Sequence, residues 1–139
     1  MEYKTTLYVL LLVMILLMTK TVTTARQLRL AISGYTASSK EDLWRTHIIW
    51  ASFLATITFY YIYLIESKRS LLATAAWDWL FVVHLTCALG YFFTMMALIV
   101  FAIIKRKEFR GYAKLGRTCA GFFIPTAFTG FFLINRMKI

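Results

Sequence analysis

The chain has 139 residues, of which 60% are apolar, 17% aromatic and only 16% charged, with a formal net charge of +10 and a single proline. That composition excludes an intrinsically disordered chain and disfavours a water-soluble globule. A bilayer core about 30 Å thick takes roughly 20 helical residues per crossing, so four crossings use about 80 residues and leave short loops with no separate soluble domain. The lysines and arginines lie between the apolar runs, so the positive charge reads as membrane topology and contact with lipid phosphates rather than as nucleic-acid binding.

The first apolar run, Leu7 to Met18, is short for a crossing, but Thr19 to Ala25 can extend it while Lys20 snorkels to the interface. A first helix over about residues 5–26 is expected. The run also has the length of a signal-peptide core, with Thr23 to Ala25 as a cleavage candidate; Glu2 beside Lys4 argues for a retained crossing instead. Residues 26–43 are polar and contain Gly34, and the cluster Ser38, Ser39, Lys40, Glu41 and Asp42 has the chemistry of a helix N-terminus. A second helix over about 43–65 follows. Ser67 to Ser70 then read as a turn and Leu71 to Ala76 as a segment along the membrane surface, with Asp78 near the start of a third helix over about 78–104. The basic segment Lys105 to Arg117 is expected as a loop, and a fourth helix over about 118–135 contains Pro125 as a kink.

The expected fold is therefore all-α, a single transmembrane domain forming a four-helix bundle with short loops. Five of the 16 lysines and arginines fall at the N-terminus, second loop and C-terminus (Lys4, Lys68, Arg69, Arg136, Lys138). The other eleven fall on the opposite side (Lys20, Arg26, Arg29, Lys40, Arg45, Lys105, Arg106, Lys107, Arg110, Lys114, Arg117). By the positive-inside rule both termini face outward. Trp44 and Tyr112 then mark the inner interface, and Tyr3, Tyr60, Tyr61, Tyr63, Trp77 and Trp79 the outer one.

Small residues recur at four-residue spacing: Ala51 and Ala55, then Thr86, Gly90 and Thr94, then Gly116 and Ala120, then Thr126 and Gly130. In lipid such positions let helix backbones approach closely, within one bundle or against a partner chain. His47 and His84 are the two histidines, and an ionisable side chain in an apolar helix is a candidate functional group. A histidine pair invites a b-type haem. The two lie at different depths, however, about 6 and 10 Å from opposite membrane faces and so roughly 15 to 20 Å apart in depth, and one iron cannot bind both. A hydrogen bond from each histidine to a neighbouring helix, with no cofactor, is the leading expectation; a haem b shared with a partner chain through His84 or His47 is the alternative. Cys87 and Cys119 also fall at different depths, which argues against a disulfide. No carboxylate falls inside an expected crossing, so neither a proton relay nor a transporter ion site is read here.

Several of these residues carry a family likeness. His47 heads the second helix before a stretch rich in alanine and phenylalanine, and His84 and Ala88 form a His-x-x-x-Ala motif in the third. Phe109, Arg110, Leu115, Gly116, Arg117 and Thr118 lead through Pro125 to the pair Thr129 and Gly130. Over roughly residues 43–132 the chain resembles a small four-helix membrane family, a domain of unknown function found beside haem-copper oxidase genes and implicated in cytochrome c oxidase assembly. Members of that family carry further histidines, one of them in the loop before the fourth helix, where this chain has Tyr112. The resemblance therefore implies the fold and a respiratory setting more than a cofactor. The resulting expectation is a non-catalytic subunit or assembly factor of a larger oxidase or oxygenase-type complex. Its partners are other integral membrane subunits and lipids, in a bacterial or archaeal cytoplasmic membrane or, alternatively, the mitochondrial inner membrane.

The charge asymmetry makes a direct prediction about topology. With Ser38→Cys and Ser70→Cys introduced singly, an impermeant thiol reagent applied from outside should label position 70 and spare position 38. The reverse pattern overturns the orientation.

Overall fold

The computed structural model describes residues 3–32, 34, 40–67, 79–104 and 109–136. These residues form four helices: α1 over Tyr3–Ile32, α2 over Lys40–Ser67, α3 over Trp79–Ile104 and α4 over Phe109–Arg136. No strand occurs among the described residues. All four helices are long and apolar enough to cross a membrane. At 1.5 Å per residue they measure about 39 to 45 Å, more than the roughly 30 Å of hydrocarbon, so each carries a turn or more of helix to be taken up by tilt or by projection past the core.

Three helix limits differ from the expectation, and for one reason. Apolar runs report where a helix meets hydrocarbon, whereas backbone hydrogen bonding continues into polar sequence that contains no proline. Hence α1 runs on through Arg26 and Arg29 to Ile32, α2 starts at Lys40, and α4 starts at Phe109 instead of near Thr118. The stretch from Phe109 to Arg117, expected as part of a basic loop, is the first two turns of α4. Gly34 closes α1: its φ of +81° lies in the left-handed region that glycine enters without steric cost, and its N–H donates to the Ala31 carbonyl at 3.2 Å. Glu41 and Asp42 occupy the first turn of α2, and Arg29 and Arg136 the last turns of α1 and α4, each with the sign that complements the helix dipole. The expected turn at Ser67 to Ser70 is helical at Ser67. Residues 35–39, 68–78 and 105–108 lie outside the described residues. With them go Ser38 and Ser39 of the expected cap, the rest of that turn, the surface segment Leu71 to Ala76, and Asp78.

The chain divides into two compact units, one of residues 9–67 and one of residues 1–8 with 68–139. In the first unit α1 and α2 run antiparallel: Thr24 meets His47, and Lys20 lies over the Trp50 ring with its Nζ 5.7 Å from the ring centroid. On α1 the buried positions Leu11, Met14, Met18, Thr24, Leu28 and Ala31 follow spacings of three, four and six; on α2 they are His47, Leu54, Thr58 and Tyr61, with spacings of seven, four and three. Positions three, four and seven apart share one face of a helix, so most of these residues form a stripe along it.

In the second unit α3 and α4 are antiparallel along their whole described length. Phe101 faces Gly111 and Tyr112, Tyr91 faces Cys119 and Phe123, Gly90 faces Phe122, and His84 faces Thr129 and Gly130. Tyr112 and Tyr61, expected at the membrane interfaces, are both buried, because each falls on the seam of its own helix. The N-terminal end of α1 belongs to this unit too: Lys4 Nζ donates to the Asn135 carbonyl at 3.1 Å, and the Tyr8 hydroxyl donates to Asn135 Oδ1 at 3.2 Å while its ring tilts against Phe131.

Polar side chains inside the spans are satisfied locally. Thr21, Thr58, Thr94 and Thr126 each donate to the carbonyl four residues earlier, at 2.6 to 2.8 Å. This back-bonding lets a hydroxyl reside in an apolar medium that offers no water. Among the described residues no buried side-chain nitrogen or oxygen lacks a partner.

Close approach in the second unit centres on Gly90. A Cβ there would lie 2.7 Å from two atoms of the Phe122 ring, a separation that atoms do not tolerate. Gly90→Leu should therefore destabilise the α3·α4 pair by about 1 to 3 kcal/mol, the usual cost of overpacking. Adding Phe122→Ala should recover part of that loss, since the two sites are in contact and their effects are not additive. Leu98→Ile conserves volume and should be silent. Denaturant titration of helicity in detergent compares the three variants with wild type, and a Gly90→Leu chain as stable as wild type refutes the packing assignment.

Candidate functional site

Two polar junctions stand out, each built from one histidine and one threonine on the neighbouring helix. His47 on α2 is almost fully buried. Its Nδ1 lies 3.1 Å from the Thr21 carbonyl and 3.0 Å from Thr24 Oγ1, both on α1. A carbonyl only accepts, so Nδ1 carries the proton and donates. The Thr24 hydroxyl sends its own proton back to the carbonyl of Thr21 at 2.9 Å or of Lys20 at 3.0 Å, which leaves its lone pairs for the imidazole. The Trp44 ring stands 6.1 Å from the imidazole, centroid to centroid.

His84 on α3 repeats the arrangement in the other helix pair. Its Nδ1 lies 2.8 Å from Thr129 Oγ1 on α4. The Thr129 hydroxyl has one proton, and the Pro125 carbonyl lies 2.6 Å from it. Giving that proton to the imidazole would leave two bare oxygens in contact at hydrogen-bond distance. Thr129 therefore donates to Pro125, and His84 Nδ1–H donates to Thr129. Gly130 makes room for the ring: a Cβ there would stand 3.2 Å from His84 Cε1 and 3.8 Å from Nδ1. The Thr129 and Gly130 pair thus has two separate duties toward one imidazole, one to accept its proton and the other to vacate space beside it.

For His84, which is half-buried, Nδ1 meets Thr129 Oγ1, and the Thr126 carbonyl is a further acceptor for the ring. With its proton on Nδ1, His84 carries an unshared electron pair on Nε2, for which no hydrogen bond to a described residue is formed at the distances of the Thr129 contact.

The small residues expected to mediate packing separate into groups. Gly90 and Gly130 have the space beside them filled from within the α3·α4 pair, by Phe122 and His84. Thr94 and Thr126 are half-buried and back-bonded, Thr86 is exposed and back-bonded to the Val82 carbonyl at 2.8 Å, and Ala51, Ala55 and Ala120 are half-buried. Gly116, by contrast, has nothing within 4 Å of where a Cβ would sit, and the same holds for Gly121. Cys87 and Cys119 are both free thiols, and Cys119 Sγ reaches the Tyr91 carbonyl at 3.9 Å. Among the described residues no three His, Cys, Asp or Glu side chains converge on a common point.

Residue type and four-residue spacing do not mark Thr24 or Gly121 as site residues. Thr24 had a signal, since it is a polar residue continuing the buried stripe that ends in Leu28 and Ala31. Gly121 had a weaker one, a glycine inside a helix with no small neighbour four positions away.

Four apolar helices carrying interhelical histidine–threonine bonds define this chain as an integral membrane protein of the all-α class. No family model, curated protein or solved structure matches it.

Removing either threonine hydroxyl tests the junctions. Thr24→Val and Thr129→Val should each cost about 0.6 to 2 kcal/mol, the range for an interhelical hydrogen bond in an apolar medium. Thr56→Val, whose hydroxyl is exposed and bonds only the Ser52 carbonyl, should change stability by less than either. Equal stability of all three variants in the same denaturant titration would show that the junctions contribute nothing.

Proposed function

We propose that this chain is a non-catalytic integral membrane subunit or assembly factor, held in a larger complex by helix packing. The observation that carries the reading is the pair of open glycines on α4. A glycine inside a helix costs roughly 0.5 to 1 kcal/mol relative to alanine, and Gly90 and Gly130 offset that cost by admitting Phe122 and His84. Gly116 and Gly121 admit nothing from the described chain. Bare backbone of this kind suits the close approach of a helix from another subunit, which in lipid depends on van der Waals contact rather than on the hydrophobic effect. Large outward-facing side chains such as Ile124 and Phe128, 69% and 67% exposed, flank the same stretch of α4 and offer contact area to a partner helix or to lipid.

The host favoured by the family resemblance is a haem-copper oxidase or a related oxygenase-type complex of a bacterial or archaeal cytoplasmic membrane. The partners are then its integral membrane subunits. The excess of lysine and arginine on one side supports a placement with both termini outside.

Gly116→Leu and Gly121→Leu separate association from folding, because each new side chain enters space that no described residue occupies. Both variants should keep wild-type helicity and thermal stability in detergent. Each should reduce the fraction that co-migrates with a large complex on a native gel by about ten- to a hundredfold, corresponding to roughly 1 to 3 kcal/mol of overpacking at an interface. Wild-type co-migration of both variants removes the support for this reading.

A further inference from the structure

We propose that His84 Nε2 is an axial ligand position for a haem iron. The inference rests on the reading of the chain as a membrane protein, and it adds a cofactor class to a chain otherwise proposed to act by packing alone.

Three features of the junction favour ligation. The first is the tautomer. A histidine that binds a metal through Nε2 must keep its proton on Nδ1, and donation of that proton to a fixed acceptor holds the ring orientation and raises the basicity of the free nitrogen. Thr129 Oγ1, 2.8 Å away, is such an acceptor, and it is itself fixed by donating to the Pro125 carbonyl at 2.6 Å. The second is steric. Gly130 receives the Cε1 and Nδ1 edge of the ring against bare backbone, which braces the imidazole on the side facing α4. The third is access. The contacts to α4 through Thr129 are made by Nδ1, and the His84 side chain is half-buried rather than enclosed, which leaves Nε2 as the nitrogen available to a ligand.

The chemistry of the ligand follows from how few donors are present. A zinc ion takes three or four protein ligands, and among the described residues no three His, Cys, Asp or Glu side chains converge. An iron porphyrin brings four nitrogens in its own macrocycle and takes only one or two ligands from protein. Its apolar rim also suits a site on a transmembrane helix pair. A hydrogen-bond donor from another subunit would satisfy Nε2 as well, and the experiment below tells the two apart.

The purified full-length chain in mild detergent is titrated with ferric haem b, with empty micelles as the reference, and the Soret band is followed. Wild type should saturate at one haem per chain with a band displaced from that of haem in micelles. His84→Met replaces the imidazole by a thioether, so it should change the band position and weaken binding at least about tenfold. Thr129→Val keeps the imidazole but removes the Nδ1 acceptor, and should weaken binding by about 10- to 100-fold, as losses of outer-shell partners at metal sites do. Leu98→Ile should match wild type. Far-UV circular dichroism and gel filtration establish that each variant is folded, and if His84→Met is not, Thr129→Val decides alone. The proposal is overturned if wild type gives only the spectrum of haem in micelles, or if the folded variants at positions 84 and 129 bind haem as wild type does. Native-gel co-migration without added haem remains a separate measurement, so failure here leaves the subunit reading standing.

Discussion

A polar group surrounded by hydrocarbon has no water to bond, and the cost of leaving it alone is several kcal/mol. The described helices obey that constraint. It makes the backbone helical across each apolar run, including the polar stretches that flank the runs, because intrahelical bonding satisfies amides wherever they lie. It turns the hydroxyls of Thr21, Thr58, Thr94 and Thr126 back onto their own helices. It also leaves the two imidazoles, which cannot back-bond in this way, to find acceptors on a neighbouring helix.

The same constraint explains why the junctions take a shared form. A threonine that donates to its own helix still has lone pairs to spare, so it accepts from an imidazole without becoming an unpaired donor. Thr24 serves His47 in this manner and Thr129 serves His84. The difference lies in packing around the rings. His47 is almost wholly buried between α1 and α2, and its polar contacts with α1 fix the register of that pair. His84 sits half-buried over Gly130, with Nδ1 held by Thr129. One histidine is enclosed by its helix pair, and the other is half-buried in its own.

Glycine use on α3 and α4 divides along the same line between inward and outward duty. Gly90 and Gly130 are positions where a β-carbon would collide with or crowd a ring, so their role is complete within the chain. Gly116 and Gly121 accommodate no described residue, so their bare backbone has no packing role among the described residues. Spacing alone cannot make this distinction. Gly116 and Gly130 both lie four positions from a small residue, Ala120 and Thr126, yet one faces open space and the other an imidazole.

Composition and apolar run length determined the class, four membrane-crossing helices, because burial of apolar surface and internal hydrogen bonding are additive along a sequence and need no knowledge of neighbours. The helix limits were less accessible. The start of α4 at Phe109 depends on hydrogen bonding that continues through basic residues, and no hydropathy signal marks it. The histidines and the Thr129 and Gly130 pair could be picked out by residue type, and so could a hydrogen bond as the ordinary fate of a buried imidazole. Which threonine meets which histidine, which imidazole nitrogen holds the proton, and which glycines are filled were decided only by tertiary structure. Those properties belong to pairs of residues between 23 and 46 positions apart, Thr24 with His47 and His84 with Gly130. They exist only once the antiparallel register of α1 on α2 and of α3 on α4 has brought the partners within hydrogen-bonding or van der Waals distance.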